Sequence, residues 1–273
     1  MKKQLPATTD HAFESMDDAR AISLEDRLWW MVGRKGILRK LLDRAVAIRP
    51  VRRIFEIGCG SGNNFDLLSR YGRVVGCDSS PVQVRRACAR GIASEVFLTQ
   101  DCFQHTFSEP FQLTCLFDVL EHIEDDAGFL SRLNQSVEPG HFVLLSVPAC
   151  PLLYSSHDQL LQHYRRYRLK DLEDLLCSQG FRVIWGTHFV TFLFPVVALS
   201  RFVTKLRAGL KKPQRQINVG LVPGWLNWLL TAVLLLEARI AAAVRLPIGV
   251  WAVVLAEKAN EPCSMNSVGP IIG

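Results

Sequence analysis

The segment FEIGCGSGNNF (55–65) sets Gly58, Gly60 and Gly62 between an apolar run and a helix-like stretch. Three glycines at alternate positions let the chain turn sharply and approach a ligand where side chains would collide. A helix N-terminus behind such a turn offers unpaired N–H groups to that ligand. A turn of this kind has its place at the first strand-to-helix junction of a parallel sheet, so the rest of the chain has to supply further βα units. It does. RIFEI (53–57), RVVGC (73–77), EVFLT (95–99), FQLTCLF (111–117), HFVLLSV (141–147), FRVIWGT (181–187) and GVWAVVLAEK (249–258) read as seven strands, with helical patterns between most of them. Ser80-Pro81 marks a helix start, while Gly91 and Gly180 mark helix ends.

A glycine turn alone does not name the ligand, because nicotinamide enzymes use G-x-G-x-x-G at the same junction. Here the third glycine comes one residue earlier, and Glu56 stands two residues before the first. Asp78 ends the second strand, where its carboxylate can accept both ribose hydroxyls of an adenosine. Asp101 follows the third strand and can receive an adenine amine. A solvated strand end or a helix cap would explain any one of these acids; three at successive strand ends point to a nucleoside.

Glu56, Gly58, Gly60, Gly62, Asp78, Asp101 and the segment LFDVLEHIEDD (116–126) together resemble the class I S-adenosylmethionine (SAM)-dependent methyltransferases, particularly the small-molecule group that includes ubiquinone-biosynthesis enzymes. The resemblance runs over about residues 50 to 190. It implies a Rossmann-like α/β fold, a seven-stranded methyltransferase sheet with helices on both faces whose last strand is antiparallel. It also implies SAM as cofactor, with Cys59, Ser79, Cys102 and Phe117 as further contact candidates. His141 departs from the pattern, since that family often has a second glycine after Pro-Gly. In the family an N-terminal helix lies across the cofactor cleft, which makes Trp29, Trp30 and Arg34 candidates for a lid or, more plainly, for packing on the sheet.

After the fifth strand, VPACPLLYSSHDQLLQHYRRYRLKDL (147–172) is dense in titratable groups and looks like a block found in bacterial members of this superfamily. Methyl transfer to oxygen or nitrogen requires that the acceptor lose a proton, a task suited to histidine. His163 is the first candidate base and His122 the second; His163 could equally pair with Asp158 to order its loop. His157, Asp158, Tyr164, Arg165, Arg166 and Tyr167 are candidates for acceptor contacts, the arginines for a phosphate or carboxylate. The eight cysteines show no C-x-x-C pair or zinc spacing, and no metal is expected.

Charge locates the remaining feature. Seven of the 32 basic residues (Arg182, Arg201, Lys205, Arg207, Lys211, Lys212, Arg215) lie between Asp174 and Glu237, where there is no acid; the rest of the chain, 25 basic against 26 acidic residues, is near neutral. Two apolar stretches, 189–200 and 225–236, bracket most of these basic residues. Each is about 12 residues long, short of the roughly 20 needed to span a bilayer. The sequence therefore predicts five parts: an N-terminal helical segment (1–49), a SAM-binding core (50–188), a hydrophobic basic helical insertion (189–247), the last strand (248–259) and a tail (260–273). The expected partners are a lipophilic or lipid-linked small molecule and an anionic membrane surface, with no nucleic acid. The expected location is cytoplasmic and peripheral on the inner face of the membrane. A nicotinamide oxidoreductase and a non-catalytic SAM-binding protein are the alternatives.

Overall fold

The computed structural model describes residues 17–208 and 222–260. Seven strands form one sheet: β1 (Arg53–Ile57), β2 (Arg73–Asp78), β3 (Glu95–Leu98), β4 (Leu113–Phe117), β5 (Phe142–Pro148), β6 (Phe181–Phe189) and β7 (Trp251–Lys258). Their order is β3-β2-β1-β4-β5-β7-β6. The pairings from β3 through β5 are parallel, and β7 runs antiparallel between β5 and β6. The strand order therefore reverses between β1 and β4, and ligands of open α/β sheets bind at the carboxyl ends beside such a reversal.

Both faces of the sheet are covered, as continuous apolar strands require. On one face α2 (Trp29–Ile48) contributes Ile37, Leu38 and Leu41, which pack with Leu113, Cys115, Phe142 and Leu144 of the sheet. On the other, α5 (Asp126–Ser136) and α7 (Leu169–Ser178) bring Phe129, Leu130, Leu172 and Leu176 against Val143, Leu145 and Val147. Alternate residues of β5 thus serve opposite cores, the period-2 rule of a strand. Helix α1 (Asp18–Glu25), the short α3 (Phe65–Leu68) and α4 (Pro81–Ala89) lie near the first two strands. Helix α3 begins later than the sequence suggests because Gly62, at φ +74°, holds the turn open above the Phe65 ring. Gly140, at φ +80°, makes the turn before β5 without a second glycine. His141 then fits as a buried residue, bonding Thr114 Oγ1 at 2.9 Å and the Phe111 carbonyl at 2.8 Å.

Between β6 and β7 the chain forms α8 (Phe194–Ala208) and α9 (Gly224–Ala243). Lys211, Lys212 and Arg215 lie outside the described residues. Helix α9 corrects the expected 12-residue stretch: it continues through Glu237 to 20 residues, long and apolar enough by length and composition to cross a membrane. Glu237 does not end it because its side chain is buried, accepting the Thr191 and Phe192 N–H groups at 2.9 Å each. One side of α9 is docked on α2. A Cβ added at Gly33 would lie 2.5 Å from Leu234 Cδ1, and one at Gly36 2.8 Å from Leu235 Cδ2. Trp185 and Arg44 donate to the carbonyls of Ala241 and Ala242.

Candidate active site

The glycine turn closes the carboxyl end of β1 with Gly58, Gly60 and Gly62 all at positive φ. Asp78, at the end of β2, anchors it: one carboxylate oxygen accepts the Gly60 N–H at 2.9 Å and the other the Ser80 N–H at 2.8 Å. A carboxylate oxygen can serve two donors, so anchoring the turn is compatible with receiving ribose hydroxyls. Among the described residues, no atom outside Gly60 and its chain neighbours lies within 4 Å of where a Cβ at Gly60 would stand, which leaves room for a ligand against that backbone. Glu56 sits beneath the turn, fully buried. One of its oxygens accepts Asn64 Nδ2 at 2.8 Å, and the other has no hydrogen-bond partner among the described residues. Burial pushes its pKa up to about 8. Asp101 caps the 3₁₀ turn at Cys102–Gln104 through the Phe103 N–H and pairs with Arg132 at 3.0 Å. Ser79, Cys59, Cys102 and Phe117 are buried beside these strand ends. A glycine cradle with an open face, a strand-end acid and an orphaned buried carboxylate oxygen fit an adenosine-bearing cofactor. Asp78→Ala should weaken SAM binding about tenfold or more, the loss of one charged acceptor worth roughly 1.5–3 kcal/mol. Calorimetric titration of a variant with wild-type melting checks this, and unchanged affinity removes the ribose assignment.

Helix α1 covers the turn. Glu25 accepts the Ser61 hydroxyl, and Asp26 accepts Asn63 Nδ2 at 3.0 Å. Arg90 donates to the Ser61 carbonyl and pairs with both acids. The cover is thus made by α1 rather than by Trp29 and Trp30, which meet edge to face at a centroid distance of 5.6 Å at the start of α2. Arg34 instead reaches the end of β4, where it pairs with Asp118. Asp118 is held at φ 56° and also accepts Trp251 Nε1 at 3.1 Å.

Beyond Asp118, a 3₁₀ turn at Leu120–His122 and the 155–167 segment bring Glu121, His122 and His163 together. All three are buried, with one donor atom from each within 4.8 Å of the others. Glu121 is fully enclosed, and among the described residues neither of its carboxylate oxygens has a hydrogen-bond partner; His163 Nε2 stands 4.0 Å from Oε1. Burial, then the Asp118 charge, push its pKa well up. The His122 and His163 rings are 4.7 Å apart, and burial lowers the His122 pKa to about 4. His163 Nδ1 lies 3.1 Å from Asp158 Oδ1, the pairing that also orders its loop. Asp158 pairs with Arg166 at 2.7 Å and closes a capping box with Ser155.

The other expected acceptor contacts point elsewhere. Arg166 is buried on Asp158 and the Ala149 carbonyl, while Arg165 and the Tyr167 hydroxyl both bond Asp126, at 2.8 and 2.7 Å. These groups order the block, which corrects the reading of both arginines as anion clamps. His157 is half-buried with its pKa lowered to about 4 by burial, then by Arg201; Tyr164 is exposed. Glu121 was missed by sequence reasoning. Its one signal was an acid beside His122, set between the apolar Val119-Leu120 and Ile123.

A methyltransferase domain family model matches residues 33–184. The ubiquinone biosynthesis O-methyltransferase of Azorhizobium caulinodans is 32% identical over 127 residues, 41% of this chain and 49% of that protein. The trans-aconitate 2-methyltransferase of Rhizobium leguminosarum bv. trifolii is 27% identical over 106 residues, 38% of this chain and 41% of that protein. The chain thus spans about half the length, or less, of these curated relatives. In fold it is similar to a SAM-dependent methyltransferase from Archaeoglobus fulgidus, at TM-score 0.51 and 16% identity over 82% of this chain and 94% of that one. With the family model covering more than half of the residues, and the glycine cradle, strand-end acids and sheet order in agreement, this chain belongs to the methyltransferase domain family and has the class I SAM-dependent methyltransferase fold.

Proposed function

We propose that the protein methylates an oxygen of a lipophilic small-molecule acceptor at a membrane surface. The observation that carries this reading is the outer side of the insertion. Trp225 and Trp228 are 69% and 72% exposed, with Phe192, Val196, Leu199 and Phe202 exposed on and just before α8. Exposed tryptophan and aliphatic groups beside a basic segment suit a headgroup boundary, where rings have an apolar body and a polar edge to satisfy. Two of the seven basic residues do not contribute. Arg182 pairs with Glu257, and Arg201 donates to Ser155 Oγ at 2.8 Å. The remaining five, Lys205, Arg207, Lys211, Lys212 and Arg215, carry the electrostatic part of the proposal, each worth about 1 kcal/mol near an anionic leaflet.

When bound, SAM supplies a methyl group already activated on a sulfonium. The chain's part is then to fix the two reactants and remove the acceptor's proton. The Glu121–His122–His163 cluster lies beyond β4, on the same edge of the sheet as the cofactor cradle, and we assign the handling of that proton to it. A nicotinamide reading has no comparable support, because the turn keeps the G-x-G-x-G spacing with an acid ahead of it.

The test is release of S-adenosylhomocysteine with hydroxylated lipophilic acceptors in anionic and in neutral vesicles, with co-sedimentation followed in parallel. Binding and turnover should be greatest on anionic vesicles at low salt, and both should fall when the five basic residues become glutamine. Turnover confined to water-soluble acids, with no vesicle binding, would overturn the lipophilic and membrane parts together.

A further inference from the structure

Burying a carboxylate with neither oxygen bonded is costly, and native proteins rarely leave such groups without a partner. Among the described residues Glu121 has no hydrogen-bond partner for either oxygen at 0% exposure, and beside it His122 Nδ1 is also buried without one. Arg34 and Arg166 act on Glu121 only through their charge, and neither is hydrogen-bonded to it. The third member, His163, donates Nδ1–H to Asp158, which leaves the Nε2 lone pair 4.0 Å from Glu121 Oε1. Three electron-pair donors on two segments therefore face one small volume.

The supports behind them have a particular form. A histidine that binds a metal nearly always gives its other ring N–H to a carboxylate or a backbone carbonyl, which fixes tautomer and orientation. Here Asp158 plays that part for His163, at 3.1 Å from Nδ1. Gln162, which leads directly into His163, takes a left-handed conformation at φ 59°. The two segments are also tied to each other, since the Tyr164 N–H donates to the Glu121 carbonyl at 2.8 Å.

We propose that Glu121, His122 and His163 bind one divalent transition-metal ion, with Asp158 holding His163 as a ligand. The donors lie up to 4.8 Å apart. Bonds of about 2.0–2.1 Å in a tetrahedral site bring donors to about 3.4 Å, a contraction that side-chain rotations supply. Two imidazoles and one carboxylate suit zinc, cobalt or iron(II) rather than magnesium or calcium, which favour oxygen ligands. Three protein ligands leave a coordination position open, as catalytic sites do. The inference rests on the acceptor-side role proposed above for the same cluster and gives it a mechanism: an ion beside the acceptor oxygen lowers the pKa of that hydroxyl.

The experiment uses the full-length chain stripped with a chelator and titrated with cobalt(II), read by visible d–d absorption, with zinc content measured after loading. One equivalent is expected in the wild type. Glu121→Gln, which keeps the shape of the side chain, and His163→Ala should each bind at least about tenfold more weakly. Asp158→Asn should weaken binding about 10–100-fold while leaving the ligands in place. SAM titration of the same samples separates the two readings. SAM binding with no stoichiometric cobalt overturns the metal site and leaves the methyltransferase standing. Cobalt uptake equal in wild type and Glu121→Gln assigns the ion to other residues and also overturns the proposal. One equivalent lost in the variants, with SAM affinity retained, establishes it.

Discussion

In Asp158→Ala the folded state is expected to lose about 3–5 kcal/mol of stability, the range for removing one partner of a buried ion pair. The fully buried carboxylate accepts from Arg166, from His163 and from both the backbone and the hydroxyl of Ser155. Alanine would leave the buried Arg166 guanidinium with only the Ala149 carbonyl, and would undo the capping box of α6 (Ser156–Leu160). Burial pushes the Asp158 pKa up, but the His163 hydrogen bond and the Arg166 charge outweigh it and hold the carboxyl well below the usual range. A carboxyl depressed on folding contributes stability above its unfolded pKa of about 3.9 and loses it as pH falls through the lower folded value. The difference between wild type and Asp158→Ala, measured by urea unfolding, should therefore be full at pH 7 and shrink below about pH 4. Adding Arg166→Leu should recover part of the loss. A deficit under about 1 kcal/mol at pH 7, or one that pH does not change, would show that Asp158 does not hold the block.

The second large effect is on turnover. Glu121→Gln and His163→Ala should each slow methyl transfer by about 10²–10⁴, the usual range for loss of a group that handles a proton in the transition state. SAM affinity should stay near the wild-type value, because the cradle of Gly58, Gly60, Gly62 and Asp78 contains neither residue. Single-turnover rates with bound SAM, beside calorimetric SAM affinity, measure the two quantities separately. Full turnover in His163→Ala together with its loss in His122→Ala would move the role to the other imidazole. Full turnover in all three variants would place the chemistry outside the cluster.

The parts of this molecule legible in its sequence are those with a local physical signature. Buried strands read as short apolar runs, so β1 is found at its observed bounds and the other strands within a few residues. The glycine turn and the acid at the end of β2 are equally local, because backbone approach requires missing side chains. What stayed hidden depends on partners distant in the chain. Arg165 and Arg166 look like anion-binding groups until Asp126 and Asp158 are seen to take them. Glu237 reads as the end of an apolar run, yet it accepts two N–H groups some 45 positions away. Gly33 and Gly36 look like weaknesses in α2, and their reason is the close approach of α9. Glu121 is an ordinary acid in sequence and becomes unusual only when its two oxygens prove to be enclosed with no hydrogen-bond donor among the described residues.

The antiparallel last strand has a consequence for how such a chain can change. β6 ends at Phe189, β7 begins at Trp251, and the Val250 N–H donates to the Phe189 carbonyl at 2.9 Å. The whole excursion through α8 and α9 is therefore pinched shut at its root, like a long hairpin loop. Since the entropy of closing a loop grows only with the logarithm of its length, each doubling costs only about 0.6 kcal/mol. The excursion can then be lengthened or shortened between α8 and α9, away from the face of α9 docked on α2, while strands β1 to β5 keep their register. The insertion is thus tied to the core at two places, the clasp where β6 meets β7 and the face of α9 that packs on α2 at Gly33 and Gly36.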